Sequence, residues 1–176
     1  GISPHIAINA IKKVQTKMAL YCLLNESRFL EKQGQRIAIL GVENWGSGCF
    51  KKAGDLNKAL STVATEDFKI LMSHDPSHWE AEVIPHPFNY QLTLSGHTHG
   101  MQFGIEIPGW IKWSPSKWRY KQWACIYERL NKRLNVNRGF GKRAYNGRVG
   151  SWHEGTVTDL TRTNTSITST SSTLYF

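Results

Sequence analysis

The sequence contains little cysteine, with three residues among 176, at positions 22, 49 and 125. Their number is odd and no two of them form a C-x-x-C pair, which argues against a disulfide framework and against a cysteine zinc site. We therefore expect Cys22, Cys49 and Cys125 to be buried thiols.

Long apolar runs are also missing. No segment approaches the roughly 20 apolar residues that a membrane-spanning helix needs, and the chain opens on Gly1 without the basic and apolar regions of a signal peptide. We expect a soluble chain as given, and a complete protein that is either cytoplasmic or membrane-associated.

Acidic residues are almost absent from one segment. Between Lys112 and Arg148 there are eleven Lys or Arg and a single acid, Glu128, whereas the charges of residues 1–111 cancel. This segment therefore accounts for the net charge of +9. Such a stretch can meet phosphates, an anionic membrane or nucleic acid, or it can be a solvated face without a partner.

Aromatic residues interleave with the first cations of this basic segment. Aromatics beside cations suit a membrane interface, a lipid or sugar phosphate, or stacked bases. Ordinary packing of the rings, with lysines facing water, is equally compatible. The six aromatics are Trp110, Trp113, Trp118, Tyr120, Trp123 and Tyr127.

The apolar periodicity predicts an α/β arrangement in the first part of the chain. A helix is predicted over residues 6–23, followed by a hairpin of strands 27–31 and 36–42 that turns at Gly34. Asp55 is predicted to cap a helix that runs to about residue 64. Short apolar strands are predicted at 68–72 and 90–94, both covered on two faces, with a new helix at Asp75-Pro76 between them.

Strands dominate the prediction after Gly100. They are expected at residues 101–107, 124–129, 133–136 and 155–160, among Gly, Pro and Asn breakers. Residues 163–176 are mostly Ser and Thr without charge, so a disordered tail is expected there. The sequence therefore predicts one domain over residues 1–162.

Three histidines follow the two apolar strands. His74 comes just after the strand at 68–72, and His97 and His99 lie in a loop between Gly96 and Gly100. Neutral imidazole is a good ligand for zinc, iron and manganese, and α/β sheets place their sites where strands end. We therefore expect His74, His97 and His99 to converge at one edge of the sheet.

Other readings apply to several polar residues. A single His at a strand end is more often hydrogen-bonded structure than a metal ligand. His78 is set aside as a helical partner of His74 because Pro76 disfavours helix at Asp75. We read Asp55 and Asp75 as helix caps.

Residues 70–76 (Ile-Leu-Met-Ser-His-Asp-Pro) and 94–100 (Leu-Ser-Gly-His-Thr-His-Gly) resemble the last two metal motifs of the calcineurin-like metallophosphoesterases. The two motifs in this order and at this separation are far more specific than either one alone. Residues 36–46 and 136–141 are also similar to bacterial members, so the resemblance covers about residues 23–160.

The resemblance implies an α/β fold, namely the C-terminal half of a metallophosphoesterase-type β-sandwich flanked by helices in α/β/β/α layers. It also implies two divalent metal ions of manganese, iron or zinc, with His74 and His97 on one ion and His99 on the other. Two ions about 3.5–4 Å apart hold a bridging hydroxide that attacks phosphorus. The implied substrate is a phosphomonoester or phosphodiester, and the aromatic cations favour one linked to a lipid or sugar.

The family's earlier motifs, an Asp-x-His, a Gly-Asp-x-x-Asp and a Gly-Asn-His followed by an acid, do not occur in the sequence. We therefore expect a fragment that is inactive alone, because imidazoles without carboxylates do not hold a bridged pair of hard divalent ions.

Two alternatives stay open. One is a non-catalytic, basic and aromatic-rich module that binds an anionic membrane through residues 110–148, with nucleic acid as a less favoured partner. The other is a single structural zinc held by His74, His97 and His99.

Overall fold

The computed structural model describes residues 13–14, 17–18, 20–32, 34–46, 52–107, 109–141, 146–162 and 167–175. Over these ranges the chain is a mixed α/β protein, mainly sheet with few helices. The strands are β1 Glu26–Lys32, β2 Gln35–Gly41, β3 Phe68–Met72, β4 Leu92–Ser95, β5 Ile105–Ile107, β6 Ile111–Trp113, β7 Cys125–Arg129, β8 Lys132–Val136, β9 Glu154–Arg162 and β10 Ile167–Tyr175. The helical segments are α1 Leu56–Ala59, a π-helical segment Trp79–Val83, a 3₁₀ turn His99–Gln102 and α2 Ser116–Arg119.

Six strands form one sheet in the order β1-β2-β3-β4-β8-β7. Strands β2, β3, β4 and β8 are parallel to their neighbours, and β1 and β7 pair antiparallel at the two edges. Strands β5 and β6 form a separate antiparallel ribbon, and so do β9 and β10. Because the four central strands run in one direction, the residues that follow them meet at one edge of the sheet.

The β1–β2 hairpin confirms the sequence prediction. The strands pair from Glu26↔Gly41 to Lys32↔Gln35, and Gly34 takes the positive φ of 70° that this turn requires. A two-residue connection of this kind fixes the register of both strands.

The hydrophobic core lies on one face of the sheet. Ala38, Leu40, Leu71, Leu134 and Val136 are completely buried there, beneath α1 and the π-helical segment. Burial of this apolar area provides most of the driving force for folding.

The opposite face of the same strands is less covered. Ile37, Ile39, Ile70 and Leu94 are half-buried, and Met72 is 39% exposed. Phe68 lies on this face of the strand at 68–72 and is 5% exposed, so the prediction that both faces are covered holds at Phe68 and fails at Met72. An apolar strand sequence indicates that both faces of the strand can be buried, but it does not show that a second layer of structure is present to bury them.

Asp55 caps α1 as predicted, because its Oδ1 accepts a hydrogen bond from the Lys58 backbone N–H at 2.9 Å. The helix ends at Ala59, earlier than the predicted residue 64. Asp75 lies in the turn that leads into the π-helical segment, where its Oδ1 accepts a hydrogen bond from the Ser77 N–H at 2.9 Å.

The buried Lys132 closes the other end of that segment. Its Nζ donates to the carbonyls of Val83 at 2.7 Å, Ile84 at 3.1 Å and His86 at 2.8 Å. Carbonyls at a helix end have no partner in the helix, and an ammonium group satisfies them and favours the negative end of the helix dipole. Lys132 therefore fixes the connection between β3 and β4.

The structure corrects the expectation for the C-terminal segment. Residues 163–176 were expected to be a disordered tail, yet Ile167–Tyr175 forms β10 and pairs with β9 over nine positions. This segment has no Gly or Pro and contains several β-branched threonines, which favour an extended strand once a partner strand is present.

Two further expectations differ at other places. The helix expected over residues 6–23 lies largely outside the described residues; Lys13, Val14 and Lys17 are helical, and residues 21–23 are not. Cys22 is exposed, so the expectation of a buried thiol is wrong there, whereas Cys125 is half-buried and Cys49 lies outside the described residues.

No helix in the described part of the chain is long and apolar enough to cross a bilayer.

Arg36 and Asp67 form a bidentate ion pair next to the core. The Arg36 Nε donates to Oδ1 at 2.9 Å and Nη2 donates to Oδ2 at 2.8 Å. The carboxylate is 6% exposed and also accepts from the Ala64 N–H at 2.9 Å. The hydrogen bonds from Arg36, followed by the one from Ala64, hold the pKa of Asp67 below its ordinary value of 3.8 despite burial.

We expect Asp67→Asn to lower the free energy of unfolding by about 1–2 kcal/mol near pH 7, because it weakens a charge-assisted pair. A lowered folded pKa stabilises the protein above the ordinary value of 3.8 and loses that effect as pH falls through the folded pKa. The difference from the wild type should therefore shrink below about pH 3.8 in urea unfolding.

Asp55→Asn makes the same chemical change at an exposed helix cap and should be nearly neutral, since Asn caps helices as well as Asp does. A stability difference for Asp67→Asn that does not change with pH would contradict the assignment.

Candidate metal centre

The structure brings His74 and His97 together at the carboxyl edge of the sheet. His74 follows β3 and His97 follows β4, and these strands are parallel neighbours. The backbone N–H of Gly96 donates to the His74 carbonyl at 3.1 Å, which ties the two loops together. The imidazole centroids are 4.9 Å apart with an interplanar angle of 82°. His74 is exposed and His97 is half-buried, so both are accessible to a small ligand.

His99 lies in the adjoining 3₁₀ turn, and its ring is directed toward Gly141. A Cβ placed on Gly141 would be 3.2 Å from the His99 Cε1 atom. Within the described ranges, no group of three or more His, Cys, Asp or Glu residues is arranged to hold a metal ion. The structure thus joins two of the three predicted ligands and leaves the third beside them.

Tyr120 orients the His97 ring. Its hydroxyl is 2.8 Å from the His97 Nε2, and the two rings meet edge to face at 5.4 Å. A partner on one ring nitrogen selects the tautomer and the ring orientation that the other nitrogen presents to a ligand. The sequence placed Tyr120 only within an aromatic series, because nothing in a linear pattern indicates a contact across 23 positions.

The histidine loop has an unusual backbone. The φ angles are positive at His97 (66°), His99 (51°), Gly100 (58°), Met101 (50°) and Gln102 (57°). Left-handed conformations cost non-glycine residues free energy, and they persist only where the surroundings impose them. Such residues cluster at functional sites, so this loop is the best candidate for one.

Two buried hydroxyl groups impose this conformation. The Thr98 Oγ1 donates to the Trp123 carbonyl at 2.7 Å, and the Ser114 Oγ donates to the Gly100 carbonyl at 2.7 Å. Thr98 and Ser114 are both fully buried. Because each bond joins the loop to a different distant segment, the loop is held on both sides.

Arg138 lies beneath the same loop and is buried in an ion network. Its Nε is 2.6 Å from a Glu154 carboxylate oxygen, and its Nη1 is 2.8 Å from Glu106. Burial acts to lower the pKa of Arg138, but the hydrogen bonds with Glu154 and Glu106 raise it overall. The aliphatic stem packs under Gly100, where an added Cβ would lie 3.0 Å from the Arg138 Cδ.

Several of the cations that the structure describes in the basic segment are bound by other groups of the protein. Lys112 pairs with Glu106 at 3.4 Å, Arg133 pairs with Glu128 at 3.0 Å, and Lys132 is used on carbonyls. The Arg148 Nη2 donates to the carbonyls of Arg138 at 3.0 Å, Gly139 at 2.8 Å and Gly141 at 3.0 Å. Over its described residues, the basic segment is therefore not one continuous cationic face.

His78 is part of the packing around the site. Its Nδ1 is 2.9 Å from the Ser73 hydroxyl and its Nε2 is 3.1 Å from the Glu82 carboxylate. The ring is fully buried and stacks on Trp45 at 4.7 Å. Burial lowers the pKa of His78 in spite of Glu82. Both ring nitrogens have partners, which agrees with setting His78 aside as a ligand.

Comparison with known proteins finds no family model, no curated protein and no solved structure that matches the chain. The resemblance to calcineurin-like metallophosphoesterases therefore stays a prediction from the sequence motifs.

We expect Gly100→Ala to destabilise the protein more than Gly34→Ala does. Both glycines have positive φ, so each substitution costs about 1–2 kcal/mol of backbone strain. Only at Gly100 would the new Cβ also meet neighbours, with the Ser151 Oγ at 2.9 Å and the Arg138 Cδ at 3.0 Å. This overlap should add about 1–3 kcal/mol.

Thermal unfolding of the two variants beside the wild type measures the difference. Equal losses would show that the loop does not rest on Arg138 and Ser151 as described.

Proposed function

We propose that this chain contributes His74, His97 and His99 to the metal centre of a calcineurin-like phosphoesterase, which hydrolyses a phosphomonoester or phosphodiester. The main support is the pair of imidazoles 4.9 Å apart at the ends of two adjacent parallel strands. The fixed positive-φ loop that carries His97 and His99 adds to this support.

The described residues fit part of such a centre. Two neighbouring imidazoles suit one ion of zinc, manganese or iron. In the described ranges no carboxylate joins them to make a set of three donors, and hard divalent ions in a bridged pair require oxygen ligands. We therefore propose that the further ligands come from outside the described residues, and no hydrolytic step is assigned to this chain alone.

The chain's own contribution is to position the ligands. Tyr120 holds the His97 ring through its contact with Nε2, and Thr98 and Ser114 fix the backbone on either side. Orienting contacts of this kind typically change metal affinity by about 10–100-fold when they are removed.

We also propose the β-sandwich for the complete domain. The sheet face formed by Ile37, Ile39, Ile70, Met72 and Leu94 is apolar and only partly buried in the described structure. A second layer of strands packed on this face would bury it, as in sandwiches whose layers lie about 10 Å apart.

The binding of metal by the isolated chain tests the ligand assignment. We expect one Co²⁺ or Zn²⁺ ion per chain in titration calorimetry, with affinity lowered by more than about ten-fold in His74→Ala and His97→Ala, and by about ten-fold in Tyr120→Phe. His153→Ala is the matched control, because it removes a half-buried imidazole that stacks on Phe140 and is not a predicted ligand. Unchanged affinity in the two His variants would overturn the assignment.

Hydrolysis of bis(p-nitrophenyl) phosphate and p-nitrophenyl phosphate tests the reaction. The longest polypeptide that the natural gene encodes should hold two metal ions and lose its manganese-dependent activity in His97→Ala, whereas the 176-residue chain should not exceed the metal-only blank. One tightly bound zinc without activity in the longer polypeptide would favour a structural zinc site. Turnover by the short chain would contradict the partial-site proposal.

A further inference from the structure

In an ordinary surface hairpin the apolar face packs on the protein and the polar face meets solvent, whereas the β5–β6 ribbon has the opposite arrangement. Its register pairs Ile105 with Trp113, Glu106 with Lys112 and Ile107 with Ile111. Since side chains alternate along a strand and paired residues share a face, one face is charged and the other is apolar.

The charged face is directed into the protein. Glu106 pairs with the buried Arg138 at 2.8 Å and with Lys112 at 3.4 Å, and its side chain is only 18% exposed. The apolar face is directed to solvent, with Ile105 50%, Ile107 42% and Ile111 39% exposed. Because the ion network anchors the inner face, the ribbon cannot turn over to bury its isoleucines.

Tryptophans extend the apolar face at both ends. Trp110, in the connection between the strands, is 78% exposed, and Trp118 on α2 is 80% exposed. Trp113 links these parts, since its ring is 5.9 Å from Trp118 and 6.4 Å from Phe103, which is 42% exposed. We name the surface of Phe103, Ile105, Ile107, Trp110, Ile111 and Trp118 the ribbon face. Contiguous exposed apolar surface of this kind marks an interaction site.

Cations border the ribbon face. Lys117, Arg119 and Lys121 are exposed on and just after α2. Among the described residues, Lys117 and Arg119 make no ion pair, and Lys121 approaches Glu80 only at 3.9 Å. These three charges are therefore exposed to an external partner, unlike the internal cations of the basic segment.

We propose that the ribbon face docks onto the interfacial region of an anionic lipid bilayer. Exposed tryptophans favour the boundary between headgroups and acyl chains, the isoleucines can enter its apolar part, and the neighbouring cations attract anionic headgroups. The proposal does not depend on the phosphoesterase proposal.

Other partners fit the ribbon face less well. Nucleic acid bases stack on aromatic rings, but aliphatic side chains such as Ile105 and Ile107 offer them no stacking surface. In a symmetric dimer through this face the same patch meets itself, so the three cations of one copy would lie near those of the other. A bilayer satisfies the apolar and the cationic parts together.

Docking would also set the orientation of the histidine pair relative to the bilayer. Arg119 is followed directly by Tyr120, whose hydroxyl contacts His97 at 2.8 Å. The membrane-facing segment is thus adjacent in sequence to the tyrosine that contacts His97.

Vesicle flotation of the whole chain tests the proposal. We expect binding to mixed phosphatidylcholine–phosphatidylglycerol vesicles and weak binding to phosphatidylcholine alone. Binding to the mixed vesicles should be lost in high salt, because the electrostatic screening length becomes shorter. The double variant Trp110→Ala/Trp118→Ala should lower the partition coefficient by at least about ten-fold. Removal of Lys117 or Arg119 as Ala variants should lower it by about five-fold each.

Matched controls separate these effects from misfolding and from hydrolysis. Leu130→Ala removes a side chain that is 68% exposed in the β7–β8 turn, at the opposite end of the sheet, and should leave vesicle binding unchanged. His97→Ala should also leave it unchanged, so failure of the phosphoesterase proposal is distinguishable from failure of this one. Each variant is compared with the wild type by thermal unfolding before flotation.

Three results would overturn the proposal. The first is vesicle binding that is absent, or equal in wild type and the tryptophan variant. The second is tighter binding to a single-stranded oligonucleotide than to anionic vesicles, with dependence on the same tryptophans. The third is a concentration-dependent dimer that the tryptophan variant abolishes in size-exclusion chromatography.

Discussion

The buried Arg138 joins three parts of the molecule that the chain itself separates. It contacts Glu106 in the β5–β6 ribbon, Glu154 at the start of β9, and the histidine loop at Gly100. Removing charge from water is costly, and such a group stays buried only when carboxylates neutralise it. Loss of the guanidinium would leave the buried Glu154 without its cation and Glu106 with Lys112 alone, and breaking a buried pair typically costs about 3–5 kcal/mol. The positions of the β5–β6 ribbon, of the start of β9 and of the histidine loop thus all depend on one side chain.

Buried hydrogen bonds hold the histidine loop in one arrangement. Positive φ angles from His97 to Gln102 store backbone strain, and the surrounding bonds must offset it in advance. Thr98 and Ser114 are buried donors whose partners lie 25 and 14 positions away in sequence. A ligand that arrives at His97 therefore meets an arrangement already in place, which reduces the ordering cost of binding.

Local patterns predicted the parts of the fold that local chemistry determines. The apolar strand at 68–72, the hairpin at Gly34, the cap at Asp55 and the turn at Asp75 depend on neighbouring residues, and the structure contains all of them. Meeting of His74 and His97 followed from strand order. Three features depend on residues far apart in the sequence, so no local pattern predicted them. They are the contact of Tyr120 with His97, the burial of Arg138 and the pairing of β10 with β9. The charge count also did not distinguish the exposed Lys117 and Arg119 from the buried Lys132 and Arg138.

The bonds from Lys132 to the carbonyls at the end of the helical connection between β3 and β4 affect the order in which the chain can fold. Lys132 reaches the Val83 carbonyl from 49 positions further along the sequence. During synthesis this connection emerges well before Lys132, so its last carbonyls must remain hydrated until β8 has entered the sheet. Contacts between residues so far apart form slowly, because the intervening chain loses conformational entropy before the contact contributes favourable free energy. The strand that completes the parallel sheet is thereby also the one that completes the helical segment packed upon it.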